Sequence, residues 1–307
     1  MSAVGPDPAR LRYLLRAAAP DRAATWLLSD GEAYYAPEDP SAFPLEDPVA
    51  MLSLWDARAS VPLARVGTPT RYLPPFPIRR VFCPAVNFRS HQDESGMPVP
   101  TEPYFFLKFA SSAVPHGSTV VAPFQAEQLD YEGEIGYVLG RSGRHWDEGA
   151  ARAAIFGYTP ANDLSLRDYQ FREQPRFGKN WVMGKAFDSS LPIGPWILPR
   201  EAAPEGEMTV RTRVNGELRQ DGSTRDMIFR PEQLIARLSE VNTLGPGDLV
   251  LSGTPSGVAA YRGRRYLRDG DTVEVEVDGV GTLRHGIAFE PRPQKTASGV
   301  TGDAVPP

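Results

Sequence analysis

The stretch "QLDYEGEIGYVLG", Gln128 to Gly140, decides how this chain is read. Tyr131, Gly133, Ile135 and Tyr137 alternate with Glu132, Glu134, Gly136 and Val138. Side chains on a strand point to opposite faces in turn, so this spacing predicts Glu132 and Glu134 on one face. Like charges so placed repel and raise each other's pKa unless something positive lies between them. By itself a Glu-x-Glu strand is most often a solvated surface. The rest of the chain has to say whether this one is.

Composition sets the frame. A chain of 307 residues can bury a substantial core as one large domain or two smaller ones. Its 41% hydrophobic and 23% charged residues are those of a soluble globular protein. A formal charge of -5 offers no footprint for nucleic acid or an anionic membrane. The single cysteine, Cys83, excludes an internal disulfide framework and fits a reducing, cytoplasmic setting. The first twenty residues contain no uninterrupted apolar run of the signal-peptide kind, and no later segment approaches a membrane span.

The 31 prolines and 28 glycines are spread along the chain and punctuate many short elements. Residues 1–78 are expected to form a small N-terminal α/β domain. In it we read an amphipathic helix over Pro8–Ala19, a hairpin around Asp30-Gly31, a second helix near Pro48–Ala59, and a proline-rich linker, "RYLPPFPIRR". From Arg80 the chain is mostly short strands: "YFFLKF", "IGYVLG", "MTVRTRVNG", "DLVLSG", "DTVEVEVDGVGTL". Helical stretches at Trp146–Ala154 and Pro231–Glu240 interrupt them. Residues 79–290 thus read as one domain of α+β class, mostly β, with peripheral helices. The tail 291–307 lacks apolar periodicity and reads as disordered.

A third acidic group, Asp163 in "YTPANDLSLRDYQ", ends a predicted strand. Two glutamates on one strand face and an aspartate from a neighbouring strand would make an all-oxygen, trianionic site. Such a site suits a hard divalent cation, Mg²⁺ first, with Mn²⁺ or Ca²⁺ as alternatives. No histidine or cysteine is spaced for zinc.

The strings "DYEGEIG", "NDLSLRDYQ", "GKAFDSSLPIGPWI", "VNGELRQDGSTRDMIF", "TLGPGDLVLSGTPSGV" and "YLRDGDTVEVEVDGVGTL" occur in this order. Together, over roughly residues 80 to 288, they resemble the fumarylacetoacetate hydrolase family. The resemblance implies a twisted mixed β-sheet roll with peripheral helices and a metal site at its mouth. It implies Glu132, Glu134 and Asp163 as ligands, usually of Mg²⁺, and a homodimer. It also implies that His91 and Glu94 in "NFRSHQDESG" sit on a lid over the substrate. Their spacing of three puts them on one face of a helical turn, where the carboxylate can orient the imidazole as general base.

By the same resemblance Lys185 in "VMGKAFD" points into the site, where an ammonium can stabilise an oxyanion. Arg167 and Gln170 of "RDYQ" match substrate-contacting positions, and Thr254 in "SGTPSG" matches one that holds a substrate carboxylate. Asp168 is expected to order its loop, Lys108 is expected as a wall residue of the site without an assigned role, and His116, His145 and His285 match no motif. Where family members commonly read Gly-Leu-Asn-Tyr before the lid, this chain has "CPAVNF", with Phe88 for the tyrosine and no further acidic ligand.

The reaction this implies is metal-dependent hydrolysis of a C–C bond in a 1,3-diketo acid, with water activated by His91 and Glu94. Phe88, Phe105 and Phe106 are expected to give the cleft an apolar wall that favours an acylpyruvate-like substrate over oxaloacetate. The same site could decarboxylate a 2-oxo acid or shift a keto–enol proton, and a non-catalytic ligand-binding relative is the rival from another class. A phosphoryl-transfer enzyme finds no P-loop here.

Overall fold

In the computed structural model, which describes residues 6–172 and 178–293, the strand Gly133–Leu139 is buried at every residue. It lies inside an eight-stranded mixed sheet, antiparallel to Ile155–Asn162 on one side and to Asp248–Leu251 on the other. Arg80–Pro84 and Phe105–Lys108 extend the sheet beyond Asp248–Leu251 to one edge. Leu191–Ile193 and Ala113–Pro115 extend it to the other, and Leu198–Pro199 adds a second partner for Ile155–Asn162. Two pairs are parallel: Arg80–Pro84 with Asp248–Leu251, and Leu191–Ile193 with Ala113–Pro115.

Both faces of this sheet are covered. Ile135, Tyr137 and Leu139 pack against Val210, Val275 and Leu283. These belong to a five-stranded sheet ordered Glu217–Ser223, Thr209–Val214, Thr272–Val277, Gly281–Phe289, Thr119–Ala122. On the opposite face Val138, Ala161 and Leu251 share a core with Leu14, Trp26, Met51 and Leu54. A strand covered on both sides needs apolar residues at nearly every position. Glu132 and Glu134 therefore enter the interior, not a solvated face. Truncating Ile135 to alanine would cost about 2–5 kcal/mol, since neither face can relax into solvent.

The mostly-β, α+β reading holds, as do the helices Pro48–Ala57, Glu148–Ala154 and Pro231–Ser239. Asp47 and Asp147 each accept a hydrogen bond from a first-turn amide, and proline opens the first and third helices. The N-terminal segment departs from expectation. Only Pro8–Arg10 forms a short helical turn, and Tyr13–Ala19 is a strand paired with Arg22–Ser29. Its Leu- and Ala-rich string has helical propensity, but burying Leu14 and Leu15 completely on the two faces of a sheet outweighs it. The result is a five-stranded antiparallel sheet, ordered Leu63–Val66, Tyr34–Pro37, Arg22–Ser29, Tyr13–Ala19, Arg71–Tyr72.

The hairpin at Asp30-Gly31 is present, with Asp30 Oδ1 accepting from Glu32 and Ala33 amides and Gly31 at φ +98°. The expected linker is partly structure: Arg71–Tyr72 pairs with Ala17 and Ala18, and Phe76 is fully buried. The proposed division at residue 78 separates stretches of chain that share one core, since Leu14 and Trp26 cluster with Val81, Cys83 and Leu249. Most of the tail expected to be disordered, residues 294–307, lies outside the described residues. Among the described residues no helix is long and apolar enough to cross a membrane.

Candidate metal centre and active site

Strand register assembles the three carboxylates. Gly133 pairs with Asn162, and the Asp163 amide donates to the Glu132 carbonyl at 2.8 Å. Carboxylate oxygens of Glu132, Glu134 and Asp163 then lie within 4.8 Å of one another, all three residues buried. Gly133, between the glutamates, is held at both ends of its peptide. Its N–H donates to Gln220 Oε1 at 2.9 Å, and its carbonyl accepts from Thr254 Oγ1 at 2.9 Å. A Cβ here would stand 2.1 Å from Thr212 Oγ1 on the facing sheet, so the close approach of the two sheets requires glycine.

A second buried network orients Glu132 from behind. Its amide donates to Asn162 Oδ1 at 2.9 Å, which fixes the Asn162 amide and turns Nδ2 toward His285 Nε2, 2.9 Å away. That nitrogen must accept, so His285 is neutral, and burial holds its pKa down at about 4.

Cations converge on the cluster. Lys185 Nζ lies 2.5 Å from Glu132 Oε2 and 2.8 Å from Asp163 Oδ2. Lys108 Nζ lies 2.7 Å from Asp163 Oδ1 and also donates to the Lys185 and Leu164 carbonyls. Arg167 joins Glu132 Oε1 (2.5 Å), Asp130 Oδ2 (2.9 Å) and Gln170 Oε1 (2.9 Å). Burial opposes the charge on Glu132, but Lys185, Arg167 and His91 hold its carboxyl well below the usual range. Glu134 is the exception. Burial, then Asp163 and Glu132, push its pKa well up, and among the described residues its one hydrogen bond comes from the Gly253 amide at 2.7 Å.

Four buried carboxylates, Asp130, Glu132, Glu134 and Asp163, therefore face three buried cations, Lys108, Lys185 and Arg167. An uncompensated buried charge costs several kcal/mol. The donor set is all oxygen, and a hard divalent cation fits it: Glu132, Glu134 and Asp163 would hold the ion, and Glu134 gains the partner it lacks.

The helix Arg89–Ser95, ended by Gly96 at φ +66°, carries His91 close enough to Glu132 for its charge to act on that carboxyl. His91 Nδ1 is 2.9 Å from Glu94 Oε1, and Glu94 Oε2 accepts from the Gly257 amide at 2.9 Å. Ser90 adds two ties: its amide donates to Asp226 Oδ2 at 2.9 Å and its hydroxyl accepts from the Ser256 amide at 3.3 Å. The imidazole is 5% exposed and meets the Tyr261 ring edge-on.

The structure thus brings His91, Glu94, Lys185, Arg167, Gln170 and Thr254 to one end of the sheet with the carboxylates, but some face differently from expectation. Arg167 and Gln170 bond each other, and Arg167 also braces Glu132. Thr254 is engaged with Gly133 and Gln220 (2.8 Å). Phe88 and Phe105 do not wall the cleft; both pack in the core with Ile135 and Tyr137, and only Phe106 reaches the cluster, beneath Lys185. Asp168 orders its loop by accepting from the Glu127 amide at 2.9 Å. Asp130, Asn162, Gln220 and His285 are site residues that the sequence did not reveal, and Lys108, expected only as a wall residue, is an ion-pair partner of Asp163. Only the proximity of Asp130 to the Glu-x-Glu string could have hinted at it.

This mixed-sheet architecture and this carboxylate cluster are those of the fumarylacetoacetate hydrolase superfamily. Residues 80–288 match the family described as fumarylacetoacetate (FAA) hydrolase C-terminal, and the chain belongs to it. It is 40% identical over 206 residues to human oxaloacetate tautomerase FAHD2A, mitochondrial, covering 66% of this chain and 65% of that one. The chain therefore spans just under two thirds of that relative. It is 39% identical over 218 residues to oxaloacetate tautomerase YisK of Bacillus subtilis, covering 69% and 71%. Among solved structures, fumarylpyruvate hydrolase from Pseudomonas aeruginosa, in complex with Mn²⁺ and pyruvate, is similar at TM-score 0.62 and 31% identity, covering 72% and 93%.

Proposed function

We propose that this protein is a divalent-metal-dependent tautomerase of a 2-oxo acid of the oxaloacetate type, with Mg²⁺ as the metal. The observation that carries the reading is a buried imidazole, held at Nδ1 by Glu94, beside a carboxylate cluster bridged by the Lys185 ammonium. The metal, when bound, supplies a Lewis acid that acidifies the carbon next to the oxo group. The protein supplies the proton traffic. Glu94 leaves His91 Nε2 as the nitrogen free to take the C3 proton or return it. The Lys185 ammonium can hold the negative oxygen of the enolate or protonate it. No water need attack and no C–C bond breaks.

The preference over hydrolysis rests on the two tautomerase relatives at about 40% identity. Hydrolysis of an acylpyruvate remains the second reading, favoured by the likeness to fumarylpyruvate hydrolase with its bound pyruvate. It would use the same His91 to activate water. The test is to follow enol oxaloacetate by its absorbance with Mg²⁺ or Mn²⁺ present. Faster enol decay without CO₂ or pyruvate supports tautomerisation. Pyruvate with a free acid from an acylpyruvate means hydrolysis, pyruvate with CO₂ from oxaloacetate means decarboxylation, and binding without turnover means a ligand-binding protein.

We also propose a homodimer. The edge strand Phe105–Lys108 and the adjoining helix Trp181–Lys185 expose Tyr104, Leu107, Phe109, Val182 and Met183 as one apolar border. A monomer by light scattering at micromolar concentration would reject this.

A further inference from the structure

An apolar cavity of about 310 Å³ is lined by Trp181, on the short helix whose other end carries Lys185. Val86, Met97, Pro100, Tyr104 and Trp181 form most of its wall, and among the described residues Lys179 is the single charged one lining it. Two aromatic rings connect this cavity to the site. The Phe106 ring stacks on Trp181, with centroids 4.7 Å apart and planes 6° apart, and carries the Lys185 ammonium 5.1 Å from its centre. The Phe171 ring has the Arg167 guanidinium 5.8 Å from its centre and the Lys179 ammonium at 5.2 Å. Lys179 thus stands one ring away from the residue that braces Glu132.

The immediate surroundings of that ammonium are soft. Trp181 is 5.4 Å from it and Met97 Sδ 3.8 Å. Among the described residues no carboxylate lies within ion-pairing distance of it. Burial, then the charges of Arg167 and Lys185, push its pKa below the usual lysine value. A half-buried cation on aromatic faces, repelled by two neighbouring cations, favours any anion that enters the cavity. The apolar wall restricts what can accompany that anion to carbon.

We propose that Lys179 is a specificity-determining residue that receives the distal carboxylate of a dicarboxylic 2-oxo acid. The oxo-carboxylate end sits at the carboxylate cluster, and the intervening carbons lie against Trp181 and Met97. This rests on the reading of the site as one for 2-oxo acids. It also alters the expectation of an apolar wall favouring an acylpyruvate-like substrate, because a point charge is placed at the far end of that wall.

The experiment compares oxaloacetate and succinylpyruvate with their ω-methyl esters, which differ by one negative charge. Turnover is measured for the wild type, Lys179→Met and Lys179→Arg with Mg²⁺. The diacid-to-ester ratio of kcat/KM should fall about ten-fold in Lys179→Met, the size of one charge-assisted hydrogen bond, and be largely kept in Lys179→Arg. Should Lys179→Met fail to fold, Lys179→Gln takes its place. An unchanged ratio in the neutral variant overturns the assignment of Lys179 while leaving the oxo-acid reading intact. A wild type that turns over none of the four compounds overturns that reading and this inference with it.

Discussion

Lys185 Nζ stands 2.5 Å from Glu132 Oε2, on an oxygen that a divalent cation would need. An ammonium and a metal ion attracted to the same carboxylates oppose each other's binding. Replacing Lys185 by methionine removes the competitor and one buried positive charge while keeping the stem. Mg²⁺ affinity should therefore rise, by roughly ten-fold if about 1.4 kcal/mol of repulsion is relieved. Turnover should fall at least 10²-fold, because the group facing the enolate oxygen is gone. Calorimetric titration beside an activity assay reads both, and weaker Mg²⁺ binding in the variant would rule the competition out.

Among the described residues no lysine or arginine forms an ion pair with Glu134, whose pKa is raised by burial and by its two acidic neighbours. Glutamine in its place removes a buried charge and keeps an oxygen for the Gly253 amide. Without metal, Glu134→Gln should melt no lower than the wild type. With Mg²⁺ present, the wild type should gain Tm and the variant should not. An equal Mg²⁺-induced shift in both would take Glu134 out of the ligand set.

The lid dyad separates chemistry from binding. His91→Ala removes the proton acceptor and should lower kcat by roughly 10²–10⁴-fold with little change in KM. Glu94→Gln keeps a hydrogen bond to the imidazole but loses its charge, so its effect should be smaller. Wild-type kcat in His91→Ala would mean that the proton moves by another route.

Away from the reacting groups, His285 predicts an acid limit of stability. Folded, it stays neutral down to about pH 4, whereas unfolded it protonates near 6.5. The unfolded chain therefore binds more protons between those values, and stability falls as pH drops through that window, by about 3 kcal/mol in all. His285→Gln retains an acceptor for Asn162 and should flatten this part of the profile. Denaturant midpoints at pH 7 and pH 4.5 test it: an equal drop in both proteins would place the acid sensitivity elsewhere.

Residues 128–140 announced the site because period-two alternation fixes the face of a side chain whatever surrounds it. The same logic could not say that both faces of that strand are covered, since the covering residues, Leu14 and Trp26 on one side and Val210 and Val275 on the other, are distant in sequence. His91 and Glu94 stood out only through the family resemblance, since such a spacing is common in polar loops; in the fold it puts His91 Nδ1 2.9 Å from Glu94 Oε1. The pairing of Lys108 with Asp163 and the place of Asn162 were not legible, because each role is acquired through strand neighbours that only the assembled sheet supplies. Tyr13–Ala19 misled for a related reason: its helical propensity is local and the sheet that overrides it is not. The reaction itself was least legible, as one set of acid, base and metal oxygens serves both a proton shift and a hydrolysis.

The loop Gly253–Gly257 touches both halves of the machinery: its first amide holds Glu134, Thr254 holds the peptide between the glutamates, and its last amide holds Glu94 on the lid. Five residues with so many obligations leave little room for insertion or drift. Diversification of such a protein is channelled to the rim instead, to positions such as Tyr104 and Lys179, where a side chain can be exchanged without disturbing the centre. New preferences among oxo acids could then arise through single replacements at the entrance, with the ion-holding apparatus inherited intact.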